Sequence, residues 1–178
     1  MAWLKEKIFS FYTKQLIKKR RATRMHVGFR QAQHIGILYS AGSPQKQQLV
    51  RQLAKKLQKM GKQVTGLCYA TIPMQQTAND FPTVTQDDLH YWGTIMHPQA
   101  QAFVNTPFDY LFQVDLIGHP ILNYLLAKSQ AQCRIGYYDP TRINLFEIMV
   151  IFNQEDEKEE ITALIEQMVH YVQLIKVK

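Results

Sequence analysis

The sequence predicts a three-layer α/β sandwich built on a mostly parallel sheet, with a basic N-terminal helical extension. Three observations carry that reading. Short apolar runs alternate with helical segments from residue 34 onward, the pattern of strands joined by crossover helices. The run Phe108-Asp109-Tyr110-Leu111-Phe112-Gln113-Val114-Asp115 is mostly apolar, ends on a carboxylate and is followed by Gly118-His119-Pro120 and a helical stretch. A central parallel strand hands over to its helix in this way. Charge is divided along the chain: residues 1–62 hold 15 Lys and Arg against Glu6 alone, a net +14, and residues 63–178 hold 6 against 13 acids, a net −7.

The 178 residues fit one α/β domain, 31–178, behind an extension at 1–30. A hydrophobic content of 46% supplies a core without a disulfide or a metal. Cys68 and Cys133 lie in apolar, strand-like runs, which predicts buried reduced thiols and a reducing, cytoplasmic setting. No Cys-x-x-Cys or Cys/His cluster suggests zinc, so neither metal nor cofactor is expected. Lys5, Glu6, Lys7 and Lys14 interrupt the N-terminal apolar residues, and no stretch has the length and apolarity of a signal h-region or a membrane span.

Residues 2–24 read as an amphipathic helix, with Leu4, Ile8, Phe11, Tyr12 and Leu16 as its apolar stripe. His34–Ser40 is the first strand. Ala41-Gly42-Ser43-Pro44 is the turn after it, with Ser43 as N-cap and Pro44 at the first helical position. The helix that follows reaches Met60, buries Leu49, Val50, Leu53, Ala54 and Leu57, and stops at Gly61. Residues 63–70 are the second strand. Residues 71–94 are irregular, with a short strand near Thr83–Thr85, a helical turn at 87–93 and Trp92 as a packing anchor; such a segment suits a lid or a partner surface. A short helix from Pro98 to Asn105 precedes the central strand. Then come a helix over 121–127, a strand over 133–137, a last strand over 145–152 with Glu147 marking an edge, and a helix from 155 to 173 with acids in its first turn. The sum is a Rossmann-like order of strands and helices.

In such a sheet ligands bind beyond the carboxyl ends of the strands. The residues placed there form a candidate pocket: Ser40, Gly42, Ser43, Asp115, His119 and Tyr137. The Ser40–Ser43 turn opens a helix and offers backbone N–H groups to an anion, without the glycine spacing of a dinucleotide or phosphate loop. Asp115 and His119 stand four apart across a strand-to-helix turn, where they can act as an acid/base pair or serve as cap and surface residue. No nucleophile elbow appears, and no catalytic residue is assigned. The second candidate surface is basic: Lys14, Lys18, Lys19, Arg20, Arg21 and Arg24 of the first helix, with Arg51, Lys55, Lys59 and Lys62 on one stripe of the next.

Two resemblances follow from these residues. The basic N-terminal helix, Ile35-Gly36-Ile37-Leu38, Phe108–Leu111, Leu125–Ser129, Arg134-Ile135-Gly136 and the Leu145–Val150 run resemble an uncharacterised domain family of Bacteroidetes proteins with no assigned activity. Asp109–Gly136 is similar to the strand–helix–strand unit in the N-terminal Rossmann-like domain of heptosyltransferase-type GT-B enzymes. That implies a local fold and no residue roles.

The expectation is a cytoplasmic, non-catalytic binding module whose basic half contacts RNA, the ribosome or another polyanion. A peripheral anionic membrane is the other candidate for the first helix, because Trp3 and Phe11 suit a lipid interface. A small ligand-binding protein or enzyme using the strand ends near Ser40 and Asp115, or a protein-interaction scaffold, are the alternatives.

Overall fold

The middle strand is where the sheet is most deeply enclosed. Tyr110, Leu111, Phe112 and Gln113 are each fully buried, because successive side chains alternate between two faces and both faces carry helices. In the computed structural model, which describes residues 2–19, 27–71, 81–90, 92–152 and 157–175, the elements run α1 (Ala2–Lys19), β1 (His34–Ser40), α2 (Pro44–Lys59), β2 (Gln63–Ala70), β3 (Thr83–Thr85), α3 (Pro98–Asn105), β4 (Tyr110–Gln113), α4 (Pro120–Lys128), β5 (Cys133–Tyr137), β6 (Ile148–Val150) and α5 (Glu157–Leu174). The strands lie in the order β3-β2-β1-β4-β5-β6, and every pairing is parallel. The chain is therefore a parallel α/β protein with the Rossmann-like strand order. The central placement of β4 matches its mostly apolar reading.

The pleat divides the core in two. Ile35, Ile37, Tyr39, Tyr110, Phe112 and Val114 pack with Val50, Leu53 and Leu57 of α2 and Leu164, Met168 and Val172 of α5. Leu38, Leu67, Tyr69 and Leu111 pack with Phe9 of α1, Phe103 of α3 and Leu122, Leu125 and Leu126 of α4. Gly36 sits on the second face because a Cβ there would come within 2.8 Å of Leu111 and 2.9 Å of Phe108.

The two aspartates that bracket β4 fasten β1 at both ends. Asp109 Oδ2 accepts hydrogen bonds from the backbone N–H of Gln33 (2.7 Å) and His34 (2.9 Å). Asp115 accepts from the N–H of Ser40 at 3.1 Å. Between them Ile35 pairs with Tyr110 and Leu38 with Gln113. A one-residue slip would break both clamps and turn every β1 side chain to the wrong face.

Several details depart from the sequence reading. The buried face of α1 is centred on Phe9 and Thr13, with Tyr12, Leu16 and Ile17 half-buried beside them; Leu4 and Phe11 of the expected stripe are exposed. The helix carries two apolar stripes one residue out of phase, and the rings of Phe9 and Tyr124, 4.9 Å apart, select the second. Trp92 is 77% exposed and is not the buried packing anchor expected. The last strand is shortened to Ile148–Val150 because Ile143–Leu145 forms a 3-10 turn. It is an edge strand, and Glu147 beside it pairs with Arg134 at 3.2 Å. Cys68 and Cys133 are both buried. Part of the irregular 71–94 segment, residues 72–80 and Tyr91, lies outside the described residues. Among those described, no helix is long and apolar enough to cross a membrane.

Candidate functional site

The strand order reverses direction between β1 and β4, so the crevice beyond their carboxyl ends is the switch point of the sheet. A cavity of about 720 Å³ opens there. Its floor is a polar cluster of three side chains. Lys46 Nζ stands 2.6 Å from Asp115 Oδ1 and donates to Ser40 Oγ at 2.9 Å. The Ser40 hydroxyl donates in turn to Asp115, whose carboxylate is 4% exposed.

Local sequence explains each position. β1 ends at Ser40, and Ser43 caps α2 by accepting the Lys46 N–H at 3.3 Å. Lys46 is thereby held in the first turn of α2, and its side chain runs back over the loop. Gly42 makes room for it: a Cβ there would lie 2.8 Å from Lys46 Cδ. Leu49, Leu116 and Ile117 supply apolar wall, and Glu160 and Ile161 of α5 close the opposite side. Cys68 lies beneath, where burial pushes its thiol above the ordinary range; hydrogen bonds with Tyr39 and Thr83 and the charge of Lys46 recover part of that rise.

Of the six residues predicted from sequence, Ser40, Gly42, Ser43 and Asp115 line this cavity together. His119 and Tyr137 are not among its lining residues, and both placements are corrected. His119 is the N-cap of α4, its Nδ1 accepting the Ile121 N–H at 3.2 Å. Its ring stacks on Tyr69 at 4.6 Å, a residue of the α1/α3/α4 layer, whereas Asp115 turns to α2. Burial lowers the His119 pKa, while the charges of Glu6 and Asp115 act to raise it. Tyr137 belongs to β5, two strands from β1, and stacks on Phe152 at 5.2 Å. Lys46 and Glu160 were missed. The signal available for Lys46 was its place three residues beyond a capping serine, where a long side chain reaches back over the strand end.

The described basic residues do not form one surface. Lys14, Lys18 and Lys19 are exposed on α1, in the layer with α3 and α4. Lys55 and Lys59 are exposed on α2, in the opposite layer. Arg51 is half-buried. Lys62 is 9% exposed, and its Nζ donates to the carbonyls of Phe29 (2.7 Å), Arg30 (3.2 Å) and Ala32 (2.7 Å). It is a structural cation and leaves the predicted stripe. Arg20, Arg21 and Arg24 lie outside the described residues. Among the described residues no three His, Cys, Asp or Glu are grouped to hold a metal.

Fold and cleft together define a Rossmann-like α/β protein with a polar, lysine-bearing crevice at its switch point. The chain belongs to a family of unknown function, DUF6913, whose model matches residues 5–175. No curated protein and no solved structure matches it.

Proposed function

We propose that this protein is a ligand-binding module that takes a polar small molecule with one anionic group in the switch-point cleft. The observation that supports this most directly is the Ser40–Lys46–Asp115 cluster, three polar side chains held together at the floor of a cavity of about 720 Å³. The volume suits a metabolite. The amino end of α2 opens into the cleft and favours negative charge. A dinucleotide suits the site less well, because the Lys46 stem fills the space above Gly42 that a pyrophosphate needs. Ser40 directs its hydroxyl to Asp115 and accepts from Lys46, so the cluster favours binding over nucleophilic attack.

The test is a thermal-shift screen of mononucleotides, sugar phosphates and organic acids on the whole protein and on Lys46→Met. A ligand at 100 times its Kd stabilises by about 2.7 kcal/mol. The expected result is a shift in the parent that Lys46→Met loses. A screen in which no compound shifts the parent, or every shift persists in Lys46→Met, removes the reading.

A second reading is polyanion binding by α2 alone, in keeping with the basic, cytoplasmic module anticipated above. It is favoured by the exposed Lys55, Lys56 and Lys59 on a helix without acidic residues. RNA bound there would be released steeply by salt.

A further inference from the structure

A second cavity, of about 420 Å³, lies between the carboxyl-terminal half of α1, the start of α4 and the connection from β5 to β6. It is separate from the switch-point cleft and shares none of its lining residues. Lys14 and Lys18, one helical turn apart and both exposed, form one wall. Arg142 lies in its lining and is itself 4% exposed. The guanidinium is incompletely matched. Its Nε pairs with Asp139 Oδ2 at 2.8 Å, and its Nη1 donates to the neutral Gln113 Oε1 at 3.3 Å. The buried Nη2 has no hydrogen-bond partner among the described residues.

Gly118 keeps this arrangement possible, since a Cβ there would stand 2.7 Å from Arg142 Cδ. Asp139 is the carboxylate at hand, and its charge is already shared: it accepts from the Thr141 N–H (2.8 Å) and hydroxyl (2.6 Å) as well as from Arg142. Among the described residues, Lys14, Lys18 and Arg142 are the cations of the lining, and the carboxylate paired with them is Asp139, through Arg142. A buried guanidinium nitrogen without a partner is costly, and its charge acts on the cavity through a low-dielectric lining. Asn123, also in the lining, has a buried Oδ1 with no donor among the described residues.

We propose that this cavity binds a small phosphomonoester that also carries a hydroxyl group. The excess of two positive charges matches a phosphate dianion, with Lys14 and Lys18 as its direct partners and Arg142 as the fixed charge behind them. The hydroxyl answers the Asn123 side-chain amide in the lining. The cavity is of small-molecule size.

Isothermal titration of the whole protein with glycerol 3-phosphate, inorganic phosphate and glycerol tests this. Glycerol 3-phosphate binds, inorganic phosphate binds more weakly, and glycerol does not bind. The double variant Lys14→Met/Lys18→Met loses roughly tenfold or more in affinity, one charge-assisted bond's worth, with an unchanged melting temperature because both side chains are exposed. Arg142→Lys lowers affinity as well; where it also lowers stability, the lysine pair decides. Lys55→Met/Lys59→Met on α2 and Lys46→Met in the other cleft keep full affinity. No binding at millimolar glycerol 3-phosphate overturns the proposal. So does an equal loss in the α2 variant, which signals diffuse surface charge, or a single-stranded RNA that competes for Lys14 and Lys18 more strongly than any phosphomonoester.

Discussion

Replacing Lys62 with Met removes a buried ammonium from under the loop that leads into β1. The residue is 9% exposed. Its two shortest hydrogen bonds, 2.7 Å each, reach the carbonyls of Phe29 and Ala32, and a third reaches Arg30. The ammonium also lies 4.9 Å from the centre of the Phe29 ring. A hydrogen bond to a charged group contributes about 1.5–3 kcal/mol, so the two short bonds set a gross loss of roughly 3–6 kcal/mol. Met keeps most of the apolar stem and avoids the desolvation of the ammonium, which offsets part of the loss. The net expectation is about 3 kcal/mol of destabilisation, a fall in Tm of roughly 6–12 °C for a chain of this size. Urea and thermal melts followed by circular dichroism measure it. Lys55→Met/Lys59→Met, at exposed positions, should stay within about 0.5 kcal/mol of the parent. Retention on an RNA column separates the same residues in the opposite sense: if α2 contacts a polyanion, the Lys55/Lys59 variant loses retention and the Lys62 variant keeps it. A loss of under 1 kcal/mol for Lys62→Met refutes the claim that this lysine is a structural clamp.

Stability should also respond to pH on both sides of neutrality. Burial pushes the Tyr69 and Tyr110 phenols up to about 12, and Tyr110 donates its hydroxyl proton to the Val27 carbonyl at 2.5 Å. Below pH 10 both states keep these protons; above it the unfolded chain loses them first, so stability falls as pH rises from 10 toward 12, by about 3 kcal/mol per tyrosine. His119 is shifted downward. Its contribution is complete above its ordinary value of 6.5 and is lost as pH falls below it, a loss that urea melts of His119→Asn should lack. Phe9→Ala should remove about 3–5 kcal/mol of buried contact, and hydrogen exchange should show α1 opening before the sheet, since Phe9 is the fully buried large side chain of that helix. Uniform exchange of α1 and β4 in that variant would show instead that α1 folds with the rest.

Much of the fold was legible because its signals are local. The apolar run at β4, the capping serine and proline at α2 and the glycine after it each specify their element without reference to distant residues. Four of the six candidate residues line one cavity for the same reason: they sit at or just beyond the ends of β1 and β4, and adjacent strands of one sheet end at the same crevice. His119 and Tyr137 failed on information that sequence order does not carry. Whether a residue after a strand turns to one layer or the other depends on which face its helix covers, and α4 covers the face opposite Asp115. Tyr137 ends a strand too, but the order β1-β4-β5 places it one strand beyond the switch point. Lys62 looked like the last member of a helical stripe, yet Gly61 has a positive φ of 79° and ends the helical geometry, so the i+3 spacing no longer describes a shared face. Arg142 gave no periodic signal at all; its importance comes from Gly118 and Gln113, more than twenty positions away.

The division of charge along the chain gains a different meaning from this geometry. A net +14 in the first 62 residues suggests one basic surface, but the chain passes across the sheet between α1 and α2 and deposits the two basic helices in opposite layers. Single-sign charge on both faces of a slab about three layers thick acts at a distance greater than the screening length of roughly 8 Å at physiological ionic strength, so the two groups do not reinforce each other at a common ligand. Each must be accounted for beside its own neighbours. On α2 those neighbours are other exposed lysines, and on α1 they are a cavity and an incompletely paired arginine. Lys62, taken from the same count, is spent inside the fold on the loop carbonyls, while Lys46 stands beside Asp115 in the lining of the switch-point cleft. The described basic residues of that half are therefore separate sets in space, a structural one, a surface one and cavity ones, and substitutions drawn from each should be separable in stability, polyanion retention and phosphate binding.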